Sequence, residues 1–79
     1  MTPINYNQLY YFYMVAEHGS IARVSELLHI TPQTISGQIS ALEDTIGASL
    51  FTRQSRRLIP TELGILVQGY AADIFQLGE

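Results

Sequence analysis

Apolar residues recur every three or four positions in four stretches of the chain, which is the spacing of amphipathic helices. The first stretch begins after Asn5, a favourable N-cap residue, and ends at Gly19, a residue type common just past a helix C-terminus. Its predicted apolar stripe is Leu9, Phe12, Tyr13 and Ala16, and three further tyrosines, Tyr6, Tyr10 and Tyr11, widen it. In so small a domain we expect these tyrosines to pack in the core or against a partner rather than to stack on bases.

A short turn, His29-Ile30, separates the second stretch from the third. Ser20 is the predicted N-cap of the second helix, which runs to about Leu28. Its inward-facing residues are predicted to be Ile21, Val24, Leu27 and Leu28. The third helix covers residues 31–46. Helix, short turn and helix form a helix-turn-helix, in which the second helix enters the DNA major groove by its N-terminal residues.

The third helix has two faces of different chemistry. Thr31 is its predicted N-cap, with Pro32 and Thr34 in its first turn. One face carries an apolar stripe of Ile35, Ile39, Leu42 and Ile46, and the other carries Gln33, Ser36, Gly37 and Ser40. The second face is small and uncharged, so it can approach another surface closely and form hydrogen bonds with base edges or phosphates. The alternative is a helix face that packs on another protein.

The position of acidic residues indicates which half of this helix faces DNA. Residues 31–40 contain no acid, whereas Glu43 and Asp44 lie in the later part, where a phosphate would repel them. The N-terminal half is therefore predicted to insert, and the C-terminal half to tilt away from the backbone. Gly37 costs about 1 kcal/mol of helix stability relative to alanine, which indicates that this face is used.

A β-hairpin is predicted after Gly47, with strands over residues 48–53 and 57–59 and a polar turn between them. Pro60 is expected to stop the pairing. We call the hairpin of residues 49–60 the wing. Three of the four arginines, Arg53, Arg56 and Arg57, fall in it with no acid among them. Arginines on a protruding ribbon can enter a minor groove or bind phosphates; the alternative is a solvated hairpin tip.

The last stretch, residues 61–79, predicts a helix with Thr61 as N-cap and a heptad-like apolar stripe. The stripe consists of Leu63, Val67, Tyr70, Ile74 and Leu77, and Leu66, Ala71 and Phe75 widen it. One side of the helix can cover the core, and we expect the rest to bind a second copy of the chain, although a helix packed wholly within its own domain is the alternative. We therefore divide the chain into a winged domain over residues 1–60 and a dimerisation helix over residues 61–79. We expect the chain to be a fragment cut within or just after that helix.

Composition limits the possible functions. The chain has 79 residues, no cysteine and a net charge of −3, so it is one small domain without disulfides and a poor non-specific DNA binder. Two isolated histidines, His18 and His29, do not form a metal site, and no cofactor is predicted. No paired carboxylates, nucleophile–base pair or phosphate-binding glycine loop indicates an enzyme. No apolar run is long enough for a membrane, and no signal peptide is evident, so we expect a cytoplasmic protein.

The order of these motifs resembles the N-terminal domain of LysR-type transcriptional regulators. The matching motifs are Leu9-x-x-Phe12, Val15-Ala16-Glu17-x-Gly19-Ser20, Thr31-Pro32-Gln33-Thr34-Ile35-Ser36-x-Gln38-Ile39, Leu42-Glu43, Gly47-x-x-Leu50-Phe51-x-Arg53 and Thr61-x-x-Gly64. Within the family, Asn5-Tyr6-Asn7-x-Leu9-Tyr10-Tyr11-Phe12 and Thr31-Pro32-Gln33-Thr34 look most like the activators of sodium/proton antiporter genes. The resemblance covers nearly the whole chain.

The resemblance implies a mainly α, winged helix-turn-helix fold with a three-helix core, a two-stranded wing and a long C-terminal linker helix. It implies a bacterial homodimer that binds interrupted palindromes in double-stranded DNA, with any small-molecule effector bound by a separate domain that this chain lacks. Carried over by position, the predicted DNA-binding residues are Ser20, Thr31, Pro32, Gln33, Thr34, Ser36, Gly37, Ser40, Arg53, Arg56 and Arg57. The predicted alternative is a winged helix used only for protein association, which the acidic balance and the tyrosines favour.

Two positions depart from the family pattern. Residue 37 is usually basic, and Gly37 removes a phosphate or guanine contact. The usual Ala-Ala pair of the second helix is Val24-Ser25 here, in which Ser25 is still small and Val24 requires a wider gap. The first departure lowers the expected DNA affinity, and the second affects local packing.

Overall fold

The computed structural model describes residues 4–54 and 57–77, which form four helices and one two-stranded antiparallel sheet. The elements are α1 (Tyr6–His18), α2 (Ile21–Leu28), α3 (Pro32–Ile46), β1 (Phe51–Gln54), β2 (Arg57–Pro60) and α4 (Glu62–Leu77). This is the predicted mainly α winged helix-turn-helix, with β1 and β2 as the wing. Predictions for Ser55, Arg56, Gly78 and Glu79 lie outside the described residues.

The first three helices begin at their predicted N-cap residues. The Asn5 side chain accepts hydrogen bonds from the backbone N–H groups of Asn7 and Gln8, at 2.8 and 3.2 Å. Ser20 accepts from the N–H of Arg23 at 3.1 Å. These side chains satisfy N–H groups that have no partner inside the helix, so each helix starts where a suitable cap occurs.

Residues in the left-handed backbone conformation end the same three helices. Gly19 and Gly47 have φ of 72° and 85°, and each donates its N–H to a carbonyl in the preceding turn. His29 ends α2 with φ of 57°, a backbone conformation that residues other than glycine rarely adopt. The hydroxyl of Ser25 hydrogen-bonds to the carbonyl of Ile30, which holds the turn between α2 and α3 closed.

One apolar cluster joins α1, α2, α3 and the residue before β1. Its buried members are Phe12, Val15, Val24, Ile35, Ile39, Leu42 and Leu50. Val24 is fully buried, so the core accommodates a side chain wider than the alanine that is usual in the family. The α3 stripe is confirmed, with Ile46 partly buried at its end.

Leu27 corrects the prediction for α2, because it is 42% exposed rather than inward-facing. Ile21 and Leu28 pack against the core on one side of Val24. Leu27 lies about 60° around the helix on the other side of Val24, beyond the edge of the buried stripe. Helical spacing alone does not locate that edge.

The wing differs from the predicted hairpin at both ends. The first strand begins at Phe51 rather than Ala48, because the backbone before it hydrogen-bonds to other elements. Pro60 does not stop the pairing but forms its last pair, opposite Phe51. A terminal pair tolerates proline because no ladder hydrogen bond is needed from its nitrogen.

Helix α4 packs along α1 through an aromatic cluster. The ring of Phe75 lies 5.0–5.4 Å, centroid to centroid, from the rings of Tyr6, Tyr10 and Tyr13. The amide of Gln68 also donates to the carboxylate of Glu17, at 3.0 Å. These three tyrosines of α1 therefore contact the chain's own last helix, although Tyr6 remains exposed.

Gly64 lies where α4 passes the start of the wing. A Cβ atom placed on Gly64 would lie 2.1 Å from the carbonyl oxygen of Leu50, a backbone atom that cannot move aside by rotation. Glycine is therefore required there by the close approach of two backbones.

We expect Gly64→Ala to lower the free energy of unfolding by about 1–3 kcal/mol, since the wing and α4 must separate. Gly69→Ala in the same helix is the matched control, because a Cβ there meets no atom within 4 Å. The control should raise stability by about 1 kcal/mol through helix propensity. Denaturant unfolding of both variants checks the prediction, and equal effects would contradict the close approach.

Candidate nucleic-acid interface

The outward face of α3 is the first part of the candidate site. All seven residues predicted there are exposed: Thr31, Pro32, Gln33, Thr34, Ser36, Gly37 and Ser40. Burial of Ile35 and Ile39 on the opposite side holds this face outward. None of the seven side chains is charged, so this face offers hydrogen-bonding groups and a surface of low bulk.

The first turn of α3 is held by two threonines. The hydroxyl of Thr31 accepts from the N–H of Thr34 at 3.3 Å, and the two hydroxyls share a hydrogen bond of 2.8 Å. Both side chains are exposed, so each hydroxyl keeps further hydrogen-bonding capacity. Gln33 lies between them with its amide in solvent. The turn thus presents several orientable polar groups from a fixed backbone.

The wing places Arg53 beside α3. In the antiparallel register Arg53 lies opposite Leu58, and Phe51 lies opposite Pro60 on the same face of the ribbon. Phe51 and Leu58 pack against the core, so this face of the wing turns toward the domain. Arg53 continues the same face beyond the core and stays exposed.

A groove between the wing and the two helices brings the predicted residues together. Arg53 lines it with the N-terminal turns of α2 and α3, namely Ile21, Ala22, Pro32, Gln33, Ser36 and Gly37. An adjoining hollow is lined by Gly19, Ser20, Ile21, Arg53, Arg57 and Leu58. The helices α2 and α3 and the wing therefore contribute to one concave surface. Thr31 and Thr34 lie outside these linings, and Arg56 lies outside the described residues.

Three contributors to this surface were not among the site residues predicted from the sequence. Ile21 and Ala22 line the groove at the start of α2, and Thr52 lines a further hollow with Ser36, Ser40 and Arg53. Ala22 lies on the side of α2 opposite the buried Val24 and is exposed, so its position outside the apolar stripe is the signal that could have identified it. Only the docking of the wing reveals the role of Thr52.

The charges near the groove are few. Arg53 and Arg57 are exposed on the wing, and Arg23 is exposed in the first turn of α2. Glu43 is partly buried, and its carboxylate accepts hydrogen bonds from the backbone. Within residues 4–54 and 57–77, no cluster of histidine, aspartate and glutamate could hold a metal ion.

The predicted dimerisation residues of α4 divide into two groups. Leu63 and Val67 are partly buried against the chain's own core. Tyr70 and Ile74 are 63% and 49% exposed, and neighbouring Leu66 is 55% exposed, which leaves an apolar strip on the outer side of α4. The side chain of Leu77 lies outside the described residues.

The fold and groove are those of a winged helix-turn-helix, and the chain belongs to the lysR family of bacterial regulatory helix-turn-helix proteins. The model of that family matches residues 6–65. The resemblance expected from the sequence motifs is thereby confirmed. No helix in the described part of the chain is long and apolar enough to cross a membrane.

Relatives and solved structures agree with this assignment. The chain is 51% identical, over its full length, to the transcriptional activator protein NhaR of Escherichia coli K12, and covers 26% of that protein. It is 40% identical over 73 residues to the RuBisCO operon transcriptional regulator of Allochromatium vinosum, covering 24% of it. The chain thus spans about a quarter of the length of the curated relatives it matches.

A solved DNA complex has the same fold. The crystal structure of the CbnR DNA-binding domain with DNA matches with a TM-score of 0.84 and 34% identity, over 94% of this chain and 85% of that chain. Together with the family match, this likeness supports the assignment of the chain to the helix-turn-helix domain of the family.

Substitution of Gly37 tests whether the exposed face of α3 contributes to the stability of the fold. A Cβ there meets no atom within 4 Å, so packing does not require glycine. We expect Gly37→Ala to raise the free energy of unfolding by about 1 kcal/mol. Gly47→Ala is the control, because its φ of 85° strains any side chain, and it should destabilise by about 1 kcal/mol. A destabilising Gly37→Ala in thermal unfolding would show a packing role.

Proposed function

We propose that this chain binds double-stranded DNA sequence-specifically, with the N-terminal half of α3 in the major groove. The wing of residues 49–60 then lies on the minor groove or on the sugar–phosphate backbone. The observation that carries this proposal is the groove in which Arg53 of the wing lies beside the uncharged face of α3. One element supplies hydrogen bonds for bases, and the other supplies positive charge for phosphates.

The dimensions and chemistry of α3 support insertion into the major groove. A B-DNA major groove about 12 Å wide admits one α-helix, and it presents a distinct pattern of donors and acceptors for each base pair. Gln33 is exposed in the first turn, and a glutamine amide can form two hydrogen bonds with adenine. Small Ser36 and Gly37 allow the helix backbone to approach closely.

The same proposal includes a two-fold dimer formed through α4. The apolar strip of Leu66, Tyr70 and Ile74 is exposed at successive turns of the helix, with Leu63 and Val67 partly exposed beside it. Two α4 helices can bury these strips against each other. The dimer would present two α3 helices to one duplex, so the preferred site is an interrupted palindrome.

For the whole regulator, we propose transcription control in the cytoplasm. The 51% sequence identity to the transcriptional activator NhaR favours activation rather than repression. Because the chain covers about a quarter of the length of these relatives, we propose that any small-molecule effector binds outside the residues described. The DNA-binding step proposed for these residues needs no cofactor.

A winged helix used only for protein association is the competing function. The negative net charge of the chain and the exposed side chain of Tyr70 favour that use. The DNA complex of a structural relative and the lack of acidic residues in positions 31–40 favour DNA. A protein-only module would bind no duplex even at low salt, where phosphate contacts are strongest.

Gln33→Ala should weaken binding to the preferred site by about 1–3 kcal/mol and relax specificity at one base pair. The cause is loss of a side chain that contacts one base edge. Gln38→Ala is the matched control, since Gln38 lies on another side of the same helix and does not line the groove. Fluorescence anisotropy with single-base-pair variants of the site measures both. Equal weakening on all sequences would exclude Gln33 as a base contact.

Arg53→Ala should weaken binding to every sequence and make the dependence of log K on log salt shallower by about one unit. With one phosphate contact fewer, binding releases one counterion fewer from the DNA. Arg53→Lys keeps the charge and should keep the salt slope. An unchanged slope in Arg53→Ala would show that Arg53 makes no phosphate contact.

A further inference from the structure

A side chain of α3 is hydrogen-bonded to the backbone at the start of β1. The Oε2 atom of Glu43 accepts hydrogen bonds from the backbone N–H groups of Leu50 and Phe51, at 2.7 and 3.3 Å. The carboxylate is partly buried at this point. Charge-assisted hydrogen bonds to backbone N–H groups are among the stronger ones in proteins, so this contact fixes where the wing leaves the domain.

The other side of the same segment is held by Thr61, the residue that precedes α4. The carbonyl of Leu50 accepts from the N–H of Thr61 at 3.0 Å, and the hydroxyl of Thr61 donates to the carbonyl of Ser49 at 2.8 Å. The Leu50 side chain is fully buried in the core. The segment is thus clamped between α3 and α4, and Glu43 supplies the α3 side of the clamp.

Glu43 also lies on the DNA-facing side of α3. Positions 36, 40 and 43 follow helical spacing, and Glu43 lines one hollow with Ser36, Ser40 and Arg53. A carboxylate near a bound phosphate is electrostatically unfavourable, so its presence here calls for a compensating role. Its hydrogen bonds to Leu50 and Phe51 provide one, because Arg53 follows Phe51 by two residues.

We propose that Glu43 is a positioning residue for DNA binding: it sets the angle of the wing to α3 and thereby places Arg53 at the groove. This inference rests on the proposed DNA-binding function. Glu43 acts through β1 and does not itself contact the duplex. Without its carboxylate, the wing is still paired and still joined to α4, but its orientation to α3 is loosened.

A double-mutant cycle tests this role. Glu43→Met keeps length and helix propensity but removes the acceptor, and it should weaken duplex binding about as much as Arg53→Ala. Combined with Arg53→Ala it should add little further loss, whereas combined with Gln33→Ala the two losses should multiply within about twofold. A general loss of folding would weaken all backgrounds alike, and that result would overturn the proposal.

Rescue by Glu43→Gln separates hydrogen bonding from charge. The amide oxygen can accept from the same two N–H groups, and removal of a negative charge favours DNA. We expect Glu43→Gln to bind at least as tightly as the wild type. Binding as weak as that of Glu43→Met would overturn the proposal, and so would wild-type affinity in Glu43→Met.

Amide hydrogen exchange gives a readout that needs no DNA. The N–H groups of Leu50 and Phe51 should exchange faster in Glu43→Met than in the wild type, while Glu43→Gln keeps their protection. Unchanged exchange in Glu43→Met would overturn the contact itself. If the wild type binds no duplex, the proposed function fails, while exchange still reports on the clamp.

Discussion

Burial of one stripe of α3 is the constraint on which the rest of the structure depends. Ile35, Ile39 and Leu42 enter a core shared with α1 and α2, and a helix of this length has little stability without such packing. Because the stripe faces inward, the opposite face must point to solvent. Ser36 and Gly37 are therefore exposed by the same packing that makes the helix stable.

Local signals predicted the helices well, and tertiary contacts explain what they missed. Asn5 and Ser20 mark helix starts because a cap residue hydrogen-bonds to N–H groups within the next turn. A few neighbouring residues are therefore enough to predict the cap. The start of β1 was misplaced because Glu43, seven residues before Leu50, takes the N–H that a strand ladder would use. Leu27 was misplaced because helical spacing gives the centre of a buried stripe more reliably than its edge.

The candidate site was predictable residue by residue but not as a surface. The polar face of α3 and the wing arginines are visible in the sequence, whereas the lining role of Ile21 depends on how β1 docks. That docking joins a helix face without charge to a ribbon with Arg53 and Arg57. Under the proposed function, a chain with net charge −3 takes its DNA affinity from a few well-placed arginines and from hydrogen bonds to bases. Such an interface favours discrimination between sequences over general attraction to DNA.

The most direct test of the central claim is selection of the purified domain on random duplex DNA at low salt, followed by sequencing. We predict enrichment of an inverted repeat, because two α3 helices of one dimer contact two half-sites. Enrichment of single half-sites would keep base recognition and remove the dimer. No enrichment by a protein shown to be folded would contradict DNA recognition and favour the association module.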